Sequence, residues 1–353
     1  MKLLHVTATH LKPDGGVPVV LKELSYWQNE IENVSSMVIS LVSPVDDMES
    51  KYFKYVPSEK FESFIIEFAP DFVILHSFYY LNYNYTVKIL LKYNIPYFIE
   101  PHGSFGQAAM KKSYFKKKIA NNTIFKKQLK NAFGFIFLND AEKKDSVYHT
   151  SHDLIIPNGI NVDKEKYKKN DNQVIFYFIG RYDIMHKGLD YMFEALDILD
   201  KQRYTFTFNL WGSGSDKTID FIKNKIKRYD YLTVNFNFSI YGVEKDIILE
   251  QCGPMVLTSR YEGFPMTVLE AWKYGNPCIV TPGTNVFEEV VDNNIGWGVQ
   301  LNAKSIANGM IKAAEDYMKD RTNYITSCKE YVINNYNWKV IAEKSILSFK
   351  SLK

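Results

Sequence analysis

The sequence predicts an α/β protein of two doubly wound, Rossmann-like domains, and three observations lead there. At 353 residues the chain exceeds the usual span of one compact domain. Short apolar, β-rich runs alternate with amphipathic stretches, the pattern of parallel strands joined by crossover helices. Two series of such runs flank the polar, charged segment NVDKEKYKKNDNQ at 161–173.

The first series comprises 2–6, 36–41, 72–75, 96–99, 133–138 and 154–156; the second comprises 174–179, 206–210, 232–236, 254–257, 277–280 and 297–299. Each is short, mostly apolar and β-rich, and two such series imply two sheets. The polar segment reads as a linker and puts the boundary near residue 168, giving domains 1–168 and 169–330 and a final segment 331–353. Over 324–349, apolar Ile325, Tyr331, Val332, Trp338, Ile341, Ala342 and Ile346 predict one helical pattern.

Composition narrows the function classes. With 46% hydrophobic, 24% charged and 15% aromatic residues, the chain is neither disordered nor collagen-like. A formal net charge of only +3 argues against nucleic acid as a partner. Charge is local instead: 101–139 holds no acidic residue, while Lys111, Lys112, Lys116, Lys117, Lys118, Lys126, Lys127 and Lys130 crowd its middle. Cys252, Cys278 and Cys328 form no C-x-x-C pair, so neither a disulfide framework nor a zinc site is expected, and a reducing cytoplasm fits. MKLLHVTATH has too short an apolar run for a signal peptide, and no later stretch nears the 18 or so apolar residues that span a bilayer, so neither an exported nor an integral membrane protein is expected.

The strongest chemical signal is SRYEGFPMTVLEAWKYGNPCIV at 259–280. A strand ends near Leu257, a loop carries Glu262, Gly263, Phe264 and Pro265, and a helix starts at Met266. The amides of Met266, Thr267 and Val268 are expected to point unpaired out of its first turn, an anion site by geometry and dipole. Glu270, one turn further in, can accept two ribose hydroxyls, and Glu262 can accept hydroxyls of a sugar. Taken singly, each would be an ordinary solvated carboxylate.

FIGRYDIMHKGLDYMFEAL at 178–196 carries Gly180, Arg181 and Lys187 between a strand and a helix from Leu189. An Arg fork and a Lys point charge can clamp a diphosphate at the carboxyl end of a strand, where open α/β sheets bind ligands. The plainer reading is a surface ion pair of small energetic weight.

Three weaker signals accompany these. In HVTATHLKPDGGVPVVLKEL, Gly15 and Gly16 precede a helix and let backbone approach a phosphate or sugar, or simply make the turn. In EPHGSFG at 100–106, His102 follows a buried-looking strand; a turn-capping histidine and a reactive one both fit. In WGSGS at 211–215, Gly212 belongs to a fragment of G-x-G-x-x-G with Lys217 in the third glycine's place, which favours a tight turn lining a base pocket over a nicotinamide site.

Together these elements resemble glycosyltransferase family 4, retaining enzymes of the GT-B fold. Glu262 and Glu270, separated by GFPMTVL, match its E-x7-E signature, and Gly180, Arg181, Lys187 and Gly188 match its G-R-x(n)-K-G clamp. The resemblance is strong over 174–300 and looser in the first half. It implies two Rossmann-like domains facing a central cleft, with the final helix in YNWKVIAEKSILSF packing back on the first domain. It further implies that Glu270 binds donor ribose, that Glu262 contacts donor-sugar hydroxyls and that Arg181 and Lys187 hold the diphosphate. By the same resemblance Tyr241 and Gly242 lie where backbone reads the base, and His102 lies near the C6 hydroxyl and reacting face of the donor sugar. One departure is GGVPVV, which puts Pro18 into the family's glycine-rich loop.

The implied activity is transfer of a sugar, with retention, from a nucleotide-diphosphate donor, UDP-linked on family habit, to a glycan or lipid-linked glycan. The implied pathway is assembly of a bacterial capsule, O-antigen or exopolysaccharide. No D-x-D occurs, so the cations are expected to replace a metal, and no cofactor is expected besides the donor substrate. A sugar-nucleotide 2-epimerase, which would convert donor without acceptor, and a non-catalytic nucleotide-sugar-binding subunit stand as alternatives. Finally, Tyr114, Phe115, Ile119, Ile124, Phe125 and Leu129 interleave with the lysines of 111–130 at near-helical spacing. That gives either a solvated helix face or a basic amphipathic segment suited to an anionic membrane surface, peripheral on the inner face of the cell membrane.

Overall fold

The computed structural model describes residues 1–8, 16–42, 51–111, 113–162 and 174–353. Its contacts divide the chain into two units, Met1–Gly159 with Asn337–Lys353, and Ile160–Tyr336. The boundary expected at 168 falls within 163–173, outside the described residues. The last segment joins the first unit from Asn337, rather than from 331.

In the first unit, β1 (Lys2–Thr7), β2 (Ser35–Ser40), β3 (Phe53–Tyr55), β4 (Phe72–His76), β5 (Tyr97–Glu100), β6 (Gly134–Phe137) and β7 (Leu154–Ile155) form a parallel sheet in the order β3-β2-β1-β4-β5-β6-β7. Every residue of β4, β5 and β6 is buried, which is why these runs carry no polar alternation. Of the first unit's strands, the sequence patterns missed β3 alone: FKY is three residues long and largely exposed, too short to show a period.

In the second unit, β8 (Ile175–Ile179), β9 (Thr207–Gly212), β10 (Thr233–Phe238), β11 (Met255–Leu257), β12 (Cys278–Val280) and β13 (Gly296–Gly298) form a parallel sheet ordered β10-β9-β8-β11-β12-β13. Helix Leu189–Lys201 follows β8 and buries Leu189, Met192, Phe193, Leu196 and Leu199, a 3.6-residue stripe facing the core. Burying each such side chain stabilises the fold by about 1.5–3 kcal/mol. Strand order reverses between β1 and β4 in one sheet and between β8 and β11 in the other, which opens a crevice outside their carboxyl ends.

Two expectations need correction. The pattern over 324–349 is two helices, Arg321–Tyr336 and Trp338–Lys350. Asn337 separates them because its backbone is extended and its side chain caps Lys339 N, starting a new helix at the point where the chain changes unit. The lysine-rich stretch is likewise three short helices, Gln107–Lys111, Tyr114–Asn122 and Lys126–Asn131, not one amphipathic rod. Ser113, at φ 62°, precedes the second of them and Thr123 leaves helical geometry after it. Tyr114, Phe115, Ile119 and Ile124 consequently stay exposed while Phe125 is buried. No helix among the described residues is long and apolar enough to cross a membrane.

Candidate functional site

At the crevice between β8 and β11, the loops that follow these strands are tied together. Thr258 Oγ1 donates to the carbonyls of Lys187 (3.0 Å) and Gly188 (3.2 Å), and Arg260 N donates to His186 O (2.9 Å). The Arg260 guanidinium grips both Asp190 oxygens, at 2.9 and 2.6 Å, and the carbonyl of Met185 at 2.7 Å. Bidentate charged contacts of this kind fix geometry as well as energy. Gly188 has φ +63°, and a Cβ there would fall 2.1 Å from Thr258 O, so only glycine lets the loops approach this closely.

The bracing brings Arg181, Lys187 and Glu262 together, and adds His186. Lys187 Nζ lies 2.6 Å from Glu262 Oε1, with the two side chains 13% and 10% exposed. The plain reading of a surface pair is therefore wrong in one respect: this pair is largely withdrawn from water, where its interaction is stronger. Ser259 Oγ donates to the same Oε1. His186 Nδ1 is 3.2 Å from Arg181 Nη2 and its Nε2 is 2.7 Å from Tyr261 O. Arginine only donates, so Nδ1 accepts and the imidazole proton is on Nε2. The His186 ring stacks on Tyr261 with centroids 4.3 Å apart. Arg181 itself is 65% exposed, near Asp183.

Helix Met266–Lys273 starts as expected, after extended Pro265. The expectation of three unpaired amides fails at Val268, whose N–H donates to Pro265 O at 2.9 Å in a tight first turn. Met266 and Thr267 remain the amides that helix geometry leaves without an intrahelical acceptor. Glu262 and Gly263 are held from behind by Asn285 Nδ2, 2.6 and 3.4 Å from their carbonyls. Phe264 packs against Tyr336. Glu270 is not part of the Lys187 group: its Oε1 takes Lys245 Nζ at 2.7 Å, while its buried Oε2 has no hydrogen-bond partner among the described residues. Gly180 directly follows β8 and Gly212 ends β9, Gly180 N donating to Trp211 O at 3.0 Å. Tyr241, 73% exposed, and Gly242 open helix Gly242–Gln251.

His102 belongs to the first unit. It sits just after β5 at φ 47°, an unusual backbone for a non-glycine residue, held in part by Gly103 N donating to Glu142 Oε1 at 2.7 Å. Beneath it runs a buried polar chain. His76 Nδ1 lies 3.1 Å from Glu100 Oε2, His102 Nδ1 lies 3.5 Å from Glu100 Oε1, and His5 Nδ1 lies 2.9 Å from His76 Nε2. Burial pushes His5 and His76 down to about 3, His5 also feeling His76. Burial likewise lowers His102 and raises Glu100. Gly15 lies outside the described residues, and Gly16 begins helix Gly16–Asn29.

Sequence patterns had missed His186, Lys245, Ser259 and Asn285. The signal for His186 was its position directly before Lys187. For Lys245 and Asn285 there was none, because both meet their partners only through folding.

Residues 159–344 match the family described as glycosyl transferases group 1. An uncharacterized 41.2 kDa protein in the cps region of Klebsiella pneumoniae is 23% identical over 68% of this chain, which spans 60% of that protein's length. The N,N'-diacetylbacillosaminyl-diphospho-undecaprenol alpha-1,3-N-acetylgalactosaminyltransferase of Campylobacter jejuni is 24% identical over 86% of this chain and 92% of its own. Among solved structures, Anabaena Alr3699/HepE in complex with UDP superposes with a TM-score of 0.74 at 14% identity, covering 99% of this chain and 100% of that one.

Proposed function

On the premise that the chain belongs to the group 1 glycosyl transferases and has their two-unit GT-B fold, we propose that it moves a sugar, with retention, from a UDP-linked donor to a hydroxyl of a glycan or lipid-linked glycan. The observation that carries this reading is the Arg181–His186–Glu262–Lys187 group at the β8/β11 switch point, with helix Met266–Lys273 starting in the same loop that carries Glu262. Breaking the bond from the sugar's C1 to the diphosphate builds negative charge on phosphate oxygens. Fixed cations and amides aimed at that charge stabilise the transition state without reorganisation.

In this reading Arg181 and Lys187 take the diphosphate together with the Met266 and Thr267 amides, and no metal is required. Lys187 exchanges Glu262 for phosphate, and Glu262 is freed to accept hydroxyls of the donor sugar. Glu270, with Oε2 unsatisfied, accepts from the ribose. The acceptor oxygen bonds to C1 on the face the diphosphate leaves, and the acceptor's proton passes to a departing phosphate oxygen, so no protein nucleophile takes part. UDP is supported by the Anabaena complex, and a lipid-diphosphate acceptor by the name of the Campylobacter enzyme. A role in capsule or related polysaccharide assembly is supported by the cps-region relative.

Thermal unfolding with UDP, GDP and ADP tests the donor site. UDP at about 100 times its Kd should stabilise the protein by about 2.7 kcal/mol. No shift with any of the three removes the proposal. Donor converted to a C2 epimer without acceptor would favour the epimerase instead.

The same reading rests the protein on the inner face of the cell membrane. Exposed Phe115, 79% accessible, and Ile119, 65%, stand with Lys116 and Lys118 on helix Tyr114–Asn122. Each lysine near anionic headgroups contributes about 1 kcal/mol. Liposomes with anionic lipid should carry the protein upward in flotation, and a Lys-to-Gln series that floats as well as wild type rules this out.

A further inference from the structure

β1, β4 and β5 lie side by side, and their register sets His76 opposite Glu100 and His5 opposite Ile74, two residues from His76 and so on the same face. The polar chain this creates has a direction. Ser345 Oγ gives its one proton to Ala342 O at 2.7 Å, so towards Gln28 it can only accept, and Gln28 Nε2 is the donor at 3.0 Å. Gln28 Oε1 therefore faces His5 Nε2 at 3.0 Å and the Ser36 hydroxyl at 2.7 Å, and His5 Nε2 carries a proton. In a neutral His5 the Nδ1 is then bare, and His76 Nε2 must donate to it across 2.9 Å.

His76 Nδ1 is bare in its turn, yet it faces Glu100 Oε2 at 3.1 Å and His102 Nε2 at 3.4 Å. A lone pair and an ionised carboxylate at that distance repel, here where His76 is fully buried and the Glu100 side chain is 7% exposed. Neutral histidines with an ionised glutamate leave the cluster one proton short.

We propose that Glu100 is a neutral carboxylic acid in the folded protein, donating from Oε2 to His76 Nδ1 and accepting at Oε1 from His102 Nδ1–H. The one approach left without a proton is the long 3.4 Å from His76 Nδ1 to His102 Nε2, whereas an ionised Glu100 beside neutral histidines would face a bare nitrogen at Oε2 whichever tautomer His102 took. Glu100 is thereby a positioning residue: it holds the partly exposed His102 ring in the tautomer whose Nε2 is an acceptor. The groups that face it are His5 from β1, His76 from β4, His102 from the turn after β5 and Glu142 from helix Asp140–Asp145. Burial raises Glu142 as well, but it takes the backbone amides of Gly103 and Leu138, at 2.7 and 2.6 Å, which Glu100 lacks, so of the two acids Glu142 is the better placed to be the carboxylate. A second charge at Glu100 would meet repulsion from Glu142. Burial acts in the same direction, raising Glu100 and lowering the imidazoles.

Infrared difference spectra of wild type and Glu100→Gln at neutral pH, with spectra of 15N-histidine-labelled protein, test this. Expected are the carbonyl stretch of a protonated carboxyl that vanishes in E100Q, and Nε2–H His5 and His76 with Nδ1–H His102 in both proteins. The carboxamide keeps those tautomers because its NH2 places an N–H where the acid has its O–H and its carbonyl accepts where Oε1 does. Should E100Q not fold, Glu142→Gln assigns the band by removing the other buried carboxyl: a protonated band that persists there should give way to carboxylate only as pH rises above the ordinary carboxylate range, and one that vanishes there overturns the proposal. A wild type with no protonated carboxyl band overturns the proposal. So does zinc copurifying at one equivalent, since His76, Glu100 and His102 offer ligand atoms all within 4.8 Å of one another and a cation would then replace the proton.

The link to turnover rests on the proposed function, but the spectra need neither donor nor acceptor and so fail separately from it. In transfer assays kcat of wild type should fall on the alkaline side as Glu100 ionises, and E100Q should lack that limb. An alkaline fall of equal midpoint in both proteins removes the positioning role.

Discussion

Lys187→Met is expected to lower kcat for sugar transfer by roughly 10²- to 10³-fold, the loss typical of one fixed group that stabilises developing charge. Methionine keeps the length and the apolar stem, so the packing of the loop is spared while the ammonium is lost. Two effects then act together. The leaving diphosphate loses its least exposed cation, and Glu262, left with Ser259 and a distant His186, loses its ion-pair partner. Because the charge on phosphate is greater in the transition state than in the bound donor, the loss should appear mainly in kcat and less in KM. Steady-state kinetics against donor concentration measure this, with circular dichroism to verify the fold. A rate within threefold of wild type would remove Lys187 from the chemistry and leave it a structural half of an ion pair.

Gly188→Ala should cause the largest loss of stability, about 3 kcal/mol or more. Two terms combine. The left-handed backbone at φ +63° costs an L-residue roughly 1–2 kcal/mol, and the new methyl would press on the Thr258 carbonyl at 2.1 Å, a backbone atom that cannot swing aside. In a domain of this size each kcal/mol lowers the unfolding midpoint by about 2–4 °C. Gly242→Ala is the control: φ is +56° there too, but nothing lies within 4 Å of the added carbon. The difference between the variants in thermal or urea unfolding isolates the contact between the two loops. Equal losses would mean that the close approach of 188 to 258 adds nothing to stability.

What the sequence determined by itself is the architecture and the local setting of the motifs. Twelve apolar runs became strands within a residue or two of their expected ends; central strands such as β4, β5 and β6 were clearest, because a strand buried on both faces has to be apolar at nearly every position. The starts of the helices at Leu189 and Met266 were legible as well, since glycine admits backbone conformations that other residues avoid and proline fixes φ at a helix entry. The break at Asn337 was not: a periodic pattern continues through it, and only the side-chain cap on Lys339 N reveals a new helix.

Tertiary structure alone decided the partners. Lys187 and Glu262 are 75 residues apart in sequence, and their 2.6 Å contact exists because β8 and β11 are neighbours in the sheet. The same adjacency brings His186 to Tyr261, whereas Glu270 goes to Lys245 on a different helix. In the first unit, the meeting of His5, His76, Glu100 and His102 depends on strand register, and a slip of one residue in any strand would send its side chain to the opposite face. Chemical type is written in each residue, but which lone pair meets which proton is set by the distances that packing imposes.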